Sequence, residues 1–230
     1  MIYSPYDVDL MQALDYGSRY AYLLDDVQGF WVPTRDTAGG SRLYDLSAND
    51  FTGTFLNKDA SDWSTSSGLS TPVLNNDPNI NLGQGVELNF NPSGAPISIY
   101  SYVLSRDWNP SVNHGEGETQ IAQIAGSGQT FELWSKNIDT LNLTLFDANT
   151  GGSGIGGSSV SVPSTDEFHA ISGTFDGSAW KIYVDDALKG TLSKSVSFDA
   201  DGSTSRLLNH NSLDRGFDGL FGAVIIFNRI

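Results

Sequence analysis

Few residue groups in this chain have the types and spacing for chemistry. Two glutamates stand two apart in Glu116-Gly117-Glu118-Thr119-Gln120. On a strand such residues share a face, and two carboxylates about 5 Å apart suit retaining glycoside hydrolysis. Glycines flank Glu116, however, so the segment reads as a solvated turn. His114, His169 and His210 lie far apart, and none has a partner at metal-ligand spacing. No Gly-x-Ser-x-Gly elbow is present, which leaves a serine nucleophile without sequence support. The glycine-rich stretch 151–157 lacks the Gly-Lys-Ser/Thr ending of a phosphate loop and reads as a mobile connection. Asp185-Asp186 and Asp199-Ala200-Asp201-Gly202 offer the hard oxygen ligands that Ca²⁺ prefers, although the same residues serve ordinary turns. No other cofactor is expected. Trp63, Trp108 and Trp134 fall outside the best core patterns and are candidate glycan contacts, against the commoner fate of a buried tryptophan.

Charge and composition narrow the partners. The 230 residues carry 27 acidic and 12 basic side chains, a formal charge of −15, which repels nucleic-acid phosphates and anionic lipid heads. There is no cysteine, so disulfides and cysteine-based zinc sites are excluded. Met1 to Asp7 has neither a basic start nor an apolar stretch, so no signal peptide is expected in this sequence. No run approaches the roughly 20 apolar residues of a membrane helix, and membrane insertion is not expected.

The elements that must hold these residues read as strands. Ile97, Ile99 and Val103 alternate with Ser98, Tyr100 and Tyr102. Leu141, Leu143 and Leu145 alternate with Asn142 and Thr144, and Trp180, Ile182 and Val184 with Lys181, Tyr183 and Asp185. Period two places each apolar set on one sheet face. Phe221 to Phe227 is apolar on both faces, as an interior strand would be. Asp176-Gly177 and Asp201-Gly202 supply tight turns. The pattern predicts an all-β, two-sheet antiparallel sandwich with Trp180, Ile182, Val184, Leu143 and Ile225 between the sheets.

Residues 1–28 differ. Leu10, Leu14, Ala21 and Leu24 fall near helical spacing, and tyrosines are frequent. The segment reads as an N-terminal arm, with residues 29–230 forming the domain. The arm either packs on its own domain or docks through Ile2, Tyr3, Tyr6, Leu10, Leu14, Tyr20 and Tyr22 on another subunit.

Three segments carry a resemblance. Leu43-Tyr44-Asp45-Leu46-Ser47-Ala48-Asn49-Asp50-Phe51-Thr52-Gly53-Thr54 is similar to the opening D-x-S-G-N-x-x-x-G-T stretch of the laminin-G-like, concanavalin A-like jelly-roll family. Phe168 to Asp186 resembles its W-H-x-V-x-x-T-Y-D-G-S-x-W-K-L-Y-V-D-G segment. Phe217 to Leu220 with Ile226 to Arg229 resembles its closing strand, with Gly222-Ala223 where the family has Asp-Glu. The resemblance implies a jelly roll over about 29–230 and a structural role for His169. Some members bind Ca²⁺ at a rim, and the hydrolases among them carry Glu-x-Asp-x-Glu, of which Gln120 breaks the match.

Such a fold does not by itself decide function. The leading expectation is a non-enzymatic structural protein of a tailed-phage virion, a capsid-decoration or fibre-associated subunit. Its partners would be other virion subunits, in a homo-oligomer or on the capsid. The alternative is a carbohydrate-binding module on a cell or virion surface, extracellular in location, and a glycan hydrolase comes third.

Overall fold

The computed structural model describes residues 26–33, 42–58, 62–65, 72–79, 83–90, 96–110, 118–125, 129–136, 139–147, 153–198, 204–210 and 212–228. Residues 1–25 of the arm, with its seven candidate interface residues, lie outside that set, as do Glu116, His114 and Asp199 to Gly202, whereas Val27 and Gln28, expected in the arm, belong to the first strand of the domain. Within it run β1 (Val27–Trp31), β2 (Arg42–Leu43), β3 (Gly53–Leu56), β4 (Trp63–Thr65), β5 (Pro72–Asn76), β6 (Gly85–Leu88), β7 (Ile97–Asp107) and β8 (Glu118–Ala125). These are followed by β9 (Gln129–Lys136), β10 (Thr140–Asp147), β11 (Ser153–Ser161), β12 (Phe168–Phe175), β13 (Ala179–Val184), β14 (Ala187–Ser193), β15 (Ser205–Leu207) and β16 (Asp218–Phe227).

All strand pairs are antiparallel, in two sheets. The first has the order β14-β13-β12-β7-β16-β5-β4, with β1 also paired to β16; the second runs β11-β10-β9-β8-β15-β6-β3-β2. The expected sandwich is therefore observed, and the alternations on β7, β10, β12 and β13 decide which side chains lie inside it. Its core centres on Trp180, which is fully buried and stacks on Phe175 at 4.0 Å and on Phe131 of the opposite sheet at 6.0 Å. The β12–β13 turn forms at Asp176-Gly177 as expected. Asp176 Oδ1 accepts from the amides of Ser178 and Ala179, and Gly177 takes a φ of 98°.

The opening motif acts as a clasp. Buried Asp45 accepts from the amides of Phe30, Ser47 and Phe51 and from Ser47 Oγ, at 2.7–2.9 Å. Asn49 Nδ2 donates to the carbonyls of Val27 and Gln28. The clasp ties β1 to the loop that leads into β3.

Two expectations are corrected here. The glycine-rich 151–157 is not simply a loop, because β11 begins at Ser153 and pairs along β10. Glycine is needed there for space. A Cβ on Gly156 would lie 2.9 Å from Trp180 and Val196, and one on Gly157 would lie 2.4 Å from the Leu143 carbonyl oxygen. Ile225 is not between the sheets. The register of β16 shifts between Phe221 and Ala223, so Phe221, Val224 and Ile226 face the core. Ile225 packs outside, in a smaller cluster with Val27, Phe30, Val32 and Ala223.

Trp180→Ala should cost about 3–5 kcal/mol, because a rigid site lined by stacked rings and close glycines cannot collapse onto the void. Urea denaturation of the two proteins measures the difference.

Candidate functional site

The outer face of the second sheet carries polar side chains in register across seven strands. Thr144 of β10 pairs with Glu132 of β9, which pairs with Gln123 of β8. Gln123 pairs with Arg206 of β15, Arg206 with Glu87 of β6, Glu87 with Thr54 of β3, and Thr54 with Arg42 of β2. Their strand neighbours Phe131, Leu133, Leu143, Leu145, Val86, Leu88 and Leu207 fill the core, so the alternate positions must face away from it. A second row, Ser159–Asn142–Trp134–Gln120, runs beside it over β11, β10, β9 and β8.

These side chains hold one another. Ser159 Oγ donates to Asn142 Oδ1 at 2.6 Å, and Trp134 Nε1 donates to Thr144 Oγ1 at 3.3 Å. The Trp134 and Phe146 rings lie 5.8 Å apart, tilted by 52°. Glu132 is buried and accepts from Thr130 Oγ1 at 2.6 Å, Gln123 Nε2 at 2.9 Å and Gln120 Nε2 at 3.3 Å. The segment after β15 closes over that end. The Gln120 amide donates to the Arg215 carbonyl, Thr119 Oγ1 donates to the Gly216 carbonyl, and the Arg215 guanidinium pairs with Glu118 at 2.8 Å. Arg206 pairs with Glu87 at 3.0 Å.

Burial sets the electrostatics. It pushes the Glu132 carboxyl above its usual range, against the hydrogen bonds from Thr130, Gln123 and Gln120 and the charge of Arg215. His210, with Nε2 3.9 Å from Glu132, is pulled down to about 4 by burial and by Arg215, so its ring is neutral at pH 7. Glu118 and Glu132 are thus both engaged inside the protein, and neither is presented as a free acid–base pair. Over β9–β11 lies a shelf of amide and hydroxyl groups, exposed Ser159 and half-buried Thr144 with buried Asn142 beneath them, beside the Trp134 and Phe146 rings. Such a shelf can hydrogen-bond a polyol and offer it an apolar surface.

The expected site residues scatter. Trp134 stands on this shelf, although it is only 8% exposed. Trp108 belongs to the core instead: it is 3% exposed, meets Phe217 edge-on at 5.9 Å and donates to the Pro163 carbonyl. Its apolar surroundings were hidden in the sequence because Phe217 and Pro163 are distant in the chain. Trp63 lies in β4, in the other sheet from Trp134. Glu118 begins β8 and is not in a solvated turn, as its ion pair with Arg215 makes clear. His169 and His210 belong to different sheets' surroundings. Asp185 and Asp186 make the β13–β14 turn, both with positive φ. Gln120, Gln123, Glu132, Asn142 and Ser159 were not singled out as binding residues. The available signal was their alternation with apolar residues along strands.

Residues 108–230, more than half of the chain, match the laminin-G-type family model described as the Concanavalin A-like lectin/glucanases superfamily. The chain belongs to that superfamily. No curated protein matches it. Among solved structures it is similar to domain 4 of an extracellular GH43 arabinanase from Geobacillus stearothermophilus, in complex with arabinotriose. That match has a TM-score of 0.60 and 16% identity, over 88% of this chain and 92% of the other. The binding domain of Paraclostridial Mosquitocidal Protein 1 matches with a TM-score of 0.64 and 15% identity, over 90% and 50%. The binding domain of botulinum neurotoxin DC, in complex with SialylT, matches with 0.61 and 12%, over 90% and 48%. The chain spans about half the length of these two toxin domains. At such identities the likeness is one of fold.

Half-buried His210 yields a pH prediction. Its folded pKa, about 4, lies below the ordinary 6.5, so the unfolded chain takes up the proton first on acidification. The stability tied to neutral His210 is present above about pH 6.5 and is lost as pH falls toward about 4. Glu132 acts with the opposite sign, since a raised carboxyl pKa costs stability as pH rises above 4.5. His210→Gln should therefore flatten the acid loss between pH 6.5 and 4 relative to the unsubstituted protein, measured as urea midpoints across that range.

Proposed function

We propose that this chain is a carbohydrate-binding surface module that lays a neutral glycan over the β9–β11 shelf. The observation that carries the reading is the Ser159–Asn142–Trp134 row, with Thr144 and Phe146 beside it, where hydrogen-bonding groups are held in place next to aromatic rings. The formal charge of −15 favours an uncharged ligand over an anionic one. The superfamily and the arabinotriose-bound arabinanase domain support the same reading. The engaged state of Glu118 and Glu132 argues against cleavage of a glycosidic bond on this face. A virion subunit finds no support among the similar structures reported above, and the tyrosine-rich segment that motivated it lies outside the described residues. The glycan reading therefore takes first place, with a cell or particle surface as the setting.

Screening on an array of neutral oligosaccharides, followed by calorimetry on the best ligand, tests the proposal. Ser159→Ala and Asn142→Ala should each weaken binding by roughly fivefold to tenfold, the worth of about one hydrogen bond, with little change in the β-sheet circular dichroism. Absence of binding across the array, or unchanged affinity in both variants, overturns it.

A further inference from the structure

A second constellation lies apart from the polar shelf. Three segments bring it together: the connection from β11 to β12, the start of β12, and the β13–β14 turn. Exposed Ser164 places its Oγ 3.0 Å from Nε2 of His169. The other ring nitrogen, Nδ1, stands 2.8 Å from Asp185 Oδ2. Asp185 is itself fixed, because its Oδ1 accepts from the Ala170 amide at 3.0 Å and its own amide donates to the Ala170 carbonyl at 2.8 Å. The histidine is buried and the serine is not. Beside them opens a cleft of about 650 Å³, walled by Val160, Val162, Pro163 and Val184, with Lys189 also in its lining.

A hydroxyl on one imidazole nitrogen, with a carboxylate on the other, is the arrangement that activates a serine. Asp185 holds the proton on Nδ1, which leaves Nε2 to accept from Ser164. The apolar wall suits a short acyl chain, and the Lys189 ammonium supplies positive charge to the same cleft. Glu167 tempers this, because Ser164 Oγ also hydrogen-bonds Glu167 Oε1. One hydroxyl proton cannot serve both acceptors at once. Glu167 is an exposed side chain, so the competing contact can open without disturbing the fold.

We propose that Ser164, His169 and Asp185 form a nucleophilic triad that hydrolyses short-chain carboxylic esters in this cleft. Ser164 Oγ bonds to the ester carbonyl carbon as its proton passes to His169 Nε2. The carbon–alkoxy bond breaks, and the alkoxide leaves as the alcohol with that proton. Water then adds to the acyl-serine, giving its proton to Nε2. The serine–acyl bond breaks, Ser164 recovers a proton, and the carboxylic acid is released. Asp185 is a positioning residue that acts through His169. The activity is separate from glycan binding and does not depend on it.

The probes are a fluorophosphonate, read by mass spectrometry of the labelled peptide, and p-nitrophenyl acetate, read by absorbance. Ser164 should be labelled, and Ser164→Ala should abolish the labelling. His169→Gln should slow it at least tenfold, and Glu167→Ala should speed it. Asp185→Asn should lower kcat on p-nitrophenyl acetate at least tenfold without raising KM. Ser164→Ala and Glu167→Ala alter exposed side chains, so they keep the test open should His169→Gln fail to fold. Labelling of the unsubstituted protein and of Glu167→Ala that stays at the Ser164→Ala background overturns the proposal. So does labelling that His169→Gln leaves unchanged in a folded protein.

Discussion

The packing of Trp180 between the two sheets constrains much of what surrounds it. An indole stacked at 4.0 Å on Phe175 and facing Phe131 across the interface leaves no room for a side chain at Gly156. A strand that must pass so close needs glycine, and this explains a segment whose composition otherwise signals a loop. The cost is conformational, since glycine loses more freedom on folding than any other residue. Pairing along the length of β10 and burial of the ring offset it. The edge of the second sheet, and with it Ser159, is therefore placed by the core and not by a surface interaction.

The outer face of that sheet follows a different logic. A buried carboxylate such as Glu132 is a poor way to gain stability, because its desolvation outweighs ordinary hydrogen bonding and raises its pKa. Three donors and a nearby guanidinium reduce the penalty without removing it. The result is an interlocked set of side chains with little freedom left to lose. Rigidity of that kind lowers the entropic cost of holding a ligand.

Strand periodicity revealed most of the fold. The alternations around Ile99, Leu143 and Ile182 gave the sandwich and its inward faces, and Asp176-Gly177 gave its hairpin. The misplacement of Ile225 has a local cause: a register shift after Phe221 changes the parity of every later residue, and period-two counting cannot see it. The site was less legible for a different reason. Gln120, Glu132, Asn142 and Ser159 come from four strands, and only register aligns them. A polar residue opposite a leucine looks the same in sequence whether it faces open water or a fixed hydrogen-bond partner.

The same argument applies to His169. Counting motifs along the chain finds no nucleophile, because Ser164 lies five residues before the histidine and Asp185 sixteen after it, with no elbow pattern. Strand β12 makes Ala170 the neighbour of Asp185, and the turn after β13 swings the carboxylate back toward the ring. Positive φ at both Asp185 and Asp186 is what a tight hairpin of this hand demands. The turn that closes the hairpin thus also delivers the carboxylate to Nδ1, and one backbone requirement creates two consequences. Aspartate serves such a turn as asparagine or glycine would. The carboxylate has a further partner here, and it is the ring that faces Ser164 across the mouth of an open cleft.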